Sequence, residues 1–487
     1  MNLRRYHPQP RQAGVLLHLT SLPGPGRQGR LGAEAYRFID LLASAGFSVW
    51  QMLPVNPVGA SASPYQTSSA FAGDPGLIDP APLMERGWLA DREMGAISYD
   101  DYRAALRGFC LHSEGFERQA FIEFVEREAY WLDDYALFHV LHQEFGRGWW
   151  EWPVELRDRT AQGLSQARTR LADRITCYRF QQFLFFQQWR ALKKYANERG
   201  VLLFGDVPIF VALDSAEVWA HRDLFEVDET GLPTVVAGVP PDYFSATGQR
   251  WGNPLYRWET MHRTGYRFWE QRIKTQLELF DLLRIDHFRG FESYWAIPAH
   301  EEYAINGCWL PGPGDALFNR LRERLGHLPL VAEDLGVITD EVRALRDRHE
   351  MPGMKILQFA FSGDGDNPYL PYNHERRSVV YTGTHDNDTS LGWYNTLDAG
   401  TQARVDDYLG HPAESMPWPL IRAALASRSQ LAMLPMQDLL GLDGAHRMNT
   451  PGTIGEENWR WRFSWEQPPP DLADRMRSLL SLYGRLS

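Results

Sequence analysis

"LLRIDHFRG", residues 282–290, sets an apolar run, two arginines, an aspartate and a histidine side by side. Leu282, Leu283 and Ile285 have the pattern of a strand buried on both faces, as in a parallel sheet. Arg284 and Asp286 stand two residues apart, on one side of that strand. Charge at the end of a core strand needs a reason, because burying it is costly unless it is paired.

Seven other runs share this grammar, apolar residues ending in polar or small ones. Three precede it: "GVLLHLTSLPG" from Gly14, "SVWQMLPVNP" from Ser48 and "VLLFGDVPIFV" from Val201. Four follow: "LPLVAEDLG" from Leu328, "MKILQFAF" from Met354, "SVVYTGTHDND" from Ser378 and "LAMLPMQDLLG" from Leu431. Helical patterns lie between several of them. Residues 33–46 put Tyr36, Ile39, Leu42 and Ala43 on one face and end at Gly46, and residues 340–353 stop at Pro352 and Gly353. Eight strands alternating with helices predict an α/β protein, a (β/α)8 TIM barrel. A doubly wound open sheet is the alternative, but no Gly-x-Gly-x-x-Gly follows any run.

The spacing predicts insertions into a single catalytic domain spanning 1–487. About 150 residues separate the second run from the third, a polar and aromatic block at about 60–200 with long helical patterns. A second excursion covers about 212–275. Within the first, "GRGWWEWP" (146–153) brings together Trp149, Trp150 and Trp152, which read either as a sugar platform or as subdomain core.

The net charge of −12 argues against nucleic-acid binding, which needs clustered Lys and Arg. Three scattered cysteines (Cys110, Cys177, Cys308) form no disulfide or zinc pattern and point to a reducing compartment. No apolar stretch follows the basic N-terminus, and no run reaches 18 apolar residues, so a cytoplasmic protein without a membrane span is expected.

The chemistry of such a barrel sits at the C-terminal ends of its strands. There the runs carry Asp206, Arg284 with Asp286, Glu333 with Asp334, and His385 with Asp386. So many acids around one mouth repel each other unless paired or protonated, which marks functional carboxylates. Two carboxylates flanking an anomeric bond are the equipment of glycoside chemistry. Arg284 would keep Asp286 ionised as a nucleophile, and Glu333 is the candidate general acid with a raised pKa. Taken singly, each motif also reads as a structural ion pair, a helix cap or a turn; their convergence on one rim favours catalysis. Metal binding is a rival reading of the acids with His287 and His385, but no dedicated ligand spacing is present, and no metal or cofactor is implied.

In this order the residues resemble the four short conserved regions of the α-amylase superfamily. "PPDYFSATGQRWGNPLY" (240–256), "RIDHFRGF", "AEDLG" and "GTHDN" are similar to the 4-α-glucanotransferases of glycoside hydrolase family 77, the amylomaltases. "SPYQTSSAFAGDPGLID" (63–79) and "MNTPGT" (448–453) also fit, so the resemblance runs from about residue 13 to the C-terminus. True α-amylases carry a histidine where "DVPIFVA" has Val211, a substitution that family 77 shares. They also carry a C-terminal β-sandwich, for which the about 50 residues after the last run leave no room.

The resemblance implies that Asp286 is the nucleophile, Glu333 the acid/base and Asp386 a third carboxylate holding sugar hydroxyls. It implies that Asp206, Arg284 and His385 support the same sugar, with Tyr65 stacked on it, Ser63 at the neighbouring donor position and Asp364 on the acceptor side. The loop 240–256 offers Asp242, Tyr243, Phe244, Gln249 and Trp251, and reads either as an ordinary barrel loop or as a lid that excludes water. Gly248 and Gly252 would permit unusual backbone angles there. A retaining mechanism on Asp286 predicts carboxyl groups about 5–5.5 Å apart. The expected activity is transfer between α-1,4-glucan donor and acceptor; a glucan hydrolase is the runner-up, and a glucan-binding protein without catalysis is the alternative of another class. The sequence leaves the oligomeric state open.

Overall fold

The computed structural model describes residues 11–59, 62–91, 95–241, 245–453, 455 and 457–486. Eight strands close a parallel barrel in the order β1, β12, β11, β10, β9, β6, β3, β2. They are β1 (Gln12–Leu16), β2 (Val49–Gln51), β3 (Leu202–Val207), β6 (Leu282–Ile285), β9 (Leu330–Ala332), β10 (Gly353–Ile356), β11 (Ser378–Tyr381) and β12 (Leu431–Pro435). Each overlaps one of the eight apolar runs, so the (β/α)8 expectation holds. No strand follows β12 among the described residues.

Strand periodicity sorts the side chains. Phe204, Val331, Met354, Ile356, Val379, Tyr381, Leu431 and Met433 fill the barrel lumen. Their neighbours Leu203, Leu283, Ile285, Ala332, Val380 and Ala432 face the helices in the main core. Two residues beyond a lumen residue the chain faces the lumen again. This parity carries Phe204 to Asp206, Val331 to Glu333, and partly buried Leu282 to Arg284 and Asp286.

Between β2 and β3 the chain forms helices, the longest being Gly115–Phe145 and Ala172–Glu198. Trp149 and Trp152 are buried in that packing, and the Trp149 indole donates to the Leu213 carbonyl at 2.8 Å. They are core residues, not a sugar platform. The helix Ala33–Ala45 ends at Gly46 (φ 83°), as its sequence predicts. Its buried face (Ala35, Phe38, Ile39, Leu42, Ala45) lies turned toward Phe38 from the predicted one, leaving Tyr36 and Ala43 at its margin.

The sequence does not announce a second sheet. β4 (Val235–Val239), β5 (Gln249–Pro254), β7 (Ser293–Pro298) and β8 (Cys308–Pro311) pair antiparallel in the order β5, β4, β7, β8. Residues 249–254 of the predicted loop are therefore a strand, which corrects that part of the loop reading. Gly248 and Gly252 do take positive φ, 68° and 81°. Because β7 begins seven residues after Asp286, this sheet is joined directly to the barrel rim that carries Asp286.

Candidate active site

Asp206 and Arg284 are direct partners in the β3–β6 register. Arg284 Nη1 donates to Asp206 Oδ2 at 2.7 Å, and its Nη2 lies 2.9 Å from Asp286 Oδ1. The arginine is thus a bridge between two carboxylates on adjacent strands, which explains its place in a core strand. The Asp206 and Arg284 side chains are only 1% and 6% exposed, whereas Asp286 is 27% exposed and reaches the open mouth. Burial pushes the Asp206 carboxyl up, opposed by the Arg284 charge, and the two carboxylates hold the guanidinium firmly in its charged form. Asp206 Oδ1 is buried without a hydrogen-bond partner among the described residues.

Glu333 follows β9, and its N–H donates to the Ile285 carbonyl at 3.0 Å, which sets it beside Asp286. Its Oε2 accepts from the His287 N–H at 2.7 Å and its Oε1 from the Leu335 N–H at 3.1 Å. Burial raises its pKa to about 8; Arg284 pulls it down, and Asp286 adds to the rise. A carboxyl with that value carries a proton at neutral pH, as a general acid must. The adjacent Asp334 points the other way. Arg346 binds it at 2.6 Å and the Met354 N–H at 2.8 Å, so it is a buried structural ion pair.

Tyr65 joins the two sides of the mouth. Its hydroxyl donates to Asp206 Oδ2 at 2.7 Å and lies 2.9 Å from His385 Nε2. Since that hydrogen is committed to Asp206, His385 carries its proton on Nε2 and donates to Tyr65. The two rings stack at 5.4 Å, and Trp459 stands 5.8 Å from Tyr65 and 5.9 Å from His385. His385 Nε2 is also 3.4 Å from Asp386 Oδ2, while burial lowers its pKa and keeps it neutral. Asp386 is open to the cleft, its side chain 46% exposed.

Three residues here fall outside the predicted set. Asn449 donates to Asp386 Oδ1 at 2.7 Å and Arg447 to the Asp386 carbonyl at 2.9 Å. Trp459 adopts φ 68°, an uncommon angle for a bulky side chain. The "MNTPGT" segment and the aromatic "NWRWRFSW" were the available signals. Beside Trp459 lies a cavity of about 240 Å³, lined among others by His18, Asn56, Pro64, Asp74 and Arg460.

Other predicted residues lie at greater remove. Ser63 Oγ accepts from the Tyr65 N–H at 3.3 Å. Trp251, on β5, sets its ring edge-on to His287 at 4.9 Å, and its indole donates to Gln249 at 3.1 Å. Asp364 is exposed in the loop after β10, with no side-chain bond to the cluster among the described residues. Asp242, Tyr243 and Phe244 lie outside the described residues. No group of three or more His, Cys, Asp or Glu among the described residues is arranged to hold a metal ion.

Residues 17–467 match the model of glycoside hydrolase family 77, 4-alpha-glucanotransferase. The chain belongs to this family. A 4-alpha-glucanotransferase from Thermus thermophilus is 49% identical over 498 residues, covering 98% of this chain and 99% of that one. Another, from Synechocystis sp., is 46% identical over 496 residues and covers 98% of each. The structure of an amylomaltase from Streptococcus agalactiae in complex with acarbose superposes with a TM-score of 0.92 at 34% identity, covering 98% of this chain and 100% of that one. The family 77 resemblance is thereby established over nearly the whole chain, and with it a glucan-transferring enzyme.

Proposed function

We propose that this family 77 enzyme transfers segments of α-1,4-glucan by a retaining mechanism in which Asp286 is the nucleophile and Glu333 the acid/base. The observation that carries the reading is the Arg284 bridge. It sets a guanidinium 2.9 Å from Asp286, beside a second carboxyl, Glu333, that burial keeps protonated.

In the first step Asp286 attacks the anomeric carbon, the glycosidic bond breaks, and the Glu333 proton passes to the leaving 4-oxygen. In the second, ionised Glu333 takes the proton of an acceptor 4-hydroxyl, whose oxygen displaces Asp286 from the anomeric carbon. Two inversions give retention. Asp206 Oδ1, His385 and Asp386 would take the hydroxyls of the reacting sugar, and Tyr65 its apolar face. Ser63 and the cavity beside Trp459 would receive the donor chain, and Asp364 a unit of the acceptor.

Transfer rather than hydrolysis follows if the acceptor is bound and water is excluded. Asp242, Tyr243 and Phe244 would close over the cleft as a lid, with Gln249 and Trp251 following on β5. The same reading makes the chain one catalytic unit, with insertions at about 60–200 and 212–275. Three free thiols support a reducing, cytoplasmic setting, and no helix among the described residues is long and apolar enough to cross a membrane.

The Glu333→Gln variant with an α-maltosyl fluoride donor tests the mechanism. Fluoride leaves without an acid, and the missing base stalls the second step, so a maltosyl adduct accumulates on the peptide carrying Asp286. Denaturing mass spectrometry reads it. An adduct elsewhere, or none, overturns the assignment.

A further inference from the structure

We infer that His287 is a positioning residue for the acid/base: its left-handed backbone turn aims one N–H at Glu333 and fixes that carboxyl against the nucleophile. The inference rests on the reading of Glu333 given above.

Three observations carry it. His287 follows Asp286 directly and adopts φ 48°, ψ 51°, a conformation uphill for any residue with a Cβ. Its N–H meets Glu333 Oε2 at 2.7 Å, and the Phe288 N–H meets the Glu333 carbonyl at 3.0 Å. One turn therefore grips both the side chain and the backbone of Glu333. Finally, the His287 ring is wedged between the Trp251 ring and Gly290, where a Cβ would stand 3.2 Å from it. Burial lowers the ring pKa to about 4, so it is a neutral wedge. Trp251 sits on β5, so that strand braces the turn.

The consequence is electrostatic as well as geometric. An N–H aimed at a carboxylate favours its ionised form. The groups facing Glu333 are Arg284 and Asp286 from β6, Asp334 (itself paired with Arg346) beside it, and Tyr369 from the loop after β10. Arg284 and the two N–H donors oppose the burial that raises the pKa. The enzyme needs this balance, since Glu333 must give a proton in one step and take one in the next.

His287→Val, whose branched side chain resists the left-handed region, tests the turn against His287→Gly and His287→Asn, which accept it. The readout is kcat/KM for transfer against pH. Val is expected to cost about 10-fold or more and to move the alkaline limb up by about one unit, through loss of a bond to the charged form. Gly and Asn are expected to bring the limb back to the wild-type position. A limb that Gly moves as far as Val does, or that none of the three moves, overturns the inference. Should the Val variant fail to fold, wild-type enzyme labelled with 15N-histidine gives the answer. The His287 amide proton should titrate with the midpoint of the alkaline limb, and a flat response overturns the inference. Loss of activity in Glu333→Gln alongside a flat response would leave the acid/base reading standing and remove only the role of His287.

Discussion

Asp206 and Arg284 meet at 2.7 Å as cross-strand neighbours, both nearly sealed from water. A buried pair of this kind is poor evidence for stability in itself. Arg284 keeps Asp286 when Asp206 is lost, so Asp206→Ala is expected to destabilise the fold by about 1–3 kcal/mol, read as a lower denaturant midpoint. Arg284→Lys keeps the charge but cannot reach both Asp206 and Asp286. It should cost activity on the order of 10²-fold through misplacement of the nucleophile, with a smaller loss of stability.

Glu333 gives a pH signature with a definite sign. Its pKa rises from 4.5 in the unfolded chain to about 8 in the folded one. Between these values the folded chain holds a proton that the unfolded chain has released. Its contribution to stability is therefore complete below the lower value and lost as pH rises through the upper one. Glu333→Gln, which never ionises, should match the wild type in stability at acid pH and exceed it at alkaline pH. Denaturant unfolding of both proteins across this range checks it, and equal stability throughout would place the Glu333 pKa near its ordinary value.

Asn449 reaches Asp386 from 63 residues further along the chain. Asn449→Ala removes a bond to a carboxylate, so kcat/KM should fall about 10–100-fold. Because Asp386 is open to the cleft, the melting temperature should barely move.

Asp334 and Glu333 are neighbours with opposite fates. Asp334→Ala removes the buried partner of Arg346, which keeps the more exposed Asp347 and Glu375, and strands the Met354 N–H, so it is expected to destabilise the fold by about 1–3 kcal/mol. Activity of the folded fraction should survive. Glu333→Ala should do the reverse, and steady-state kinetics paired with unfolding curves separate the two.

The barrel is legible in the sequence because strands buried on both faces leave continuous apolar runs, and all eight such runs are barrel strands. The antiparallel sheet is not. β4 reads "VVAGV", β5 "QRWGNP" and β8 "CWLP", short segments whose glycine, proline and polar residues hide their period. Asp206, Arg284, Asp286 and Glu333 are legible because strand parity carries them to one lumen. The same parity turns Asp334 outward, a distinction the acidic pattern alone does not make. Asn449, Arg447 and Trp459 lie in the segment after β12, which pairs with β11 and so stands beside Asp386, but no strand-end position marks them in the sequence.

Maltotriose as sole substrate tests the central claim most directly, with the product ladder and total reducing ends followed together. Retaining transfer from Asp286 to a sugar acceptor predicts glucose together with maltopentaose and longer chains, at a constant number of reducing ends. Shorter sugars alone, with reducing ends rising in step, would contradict the account.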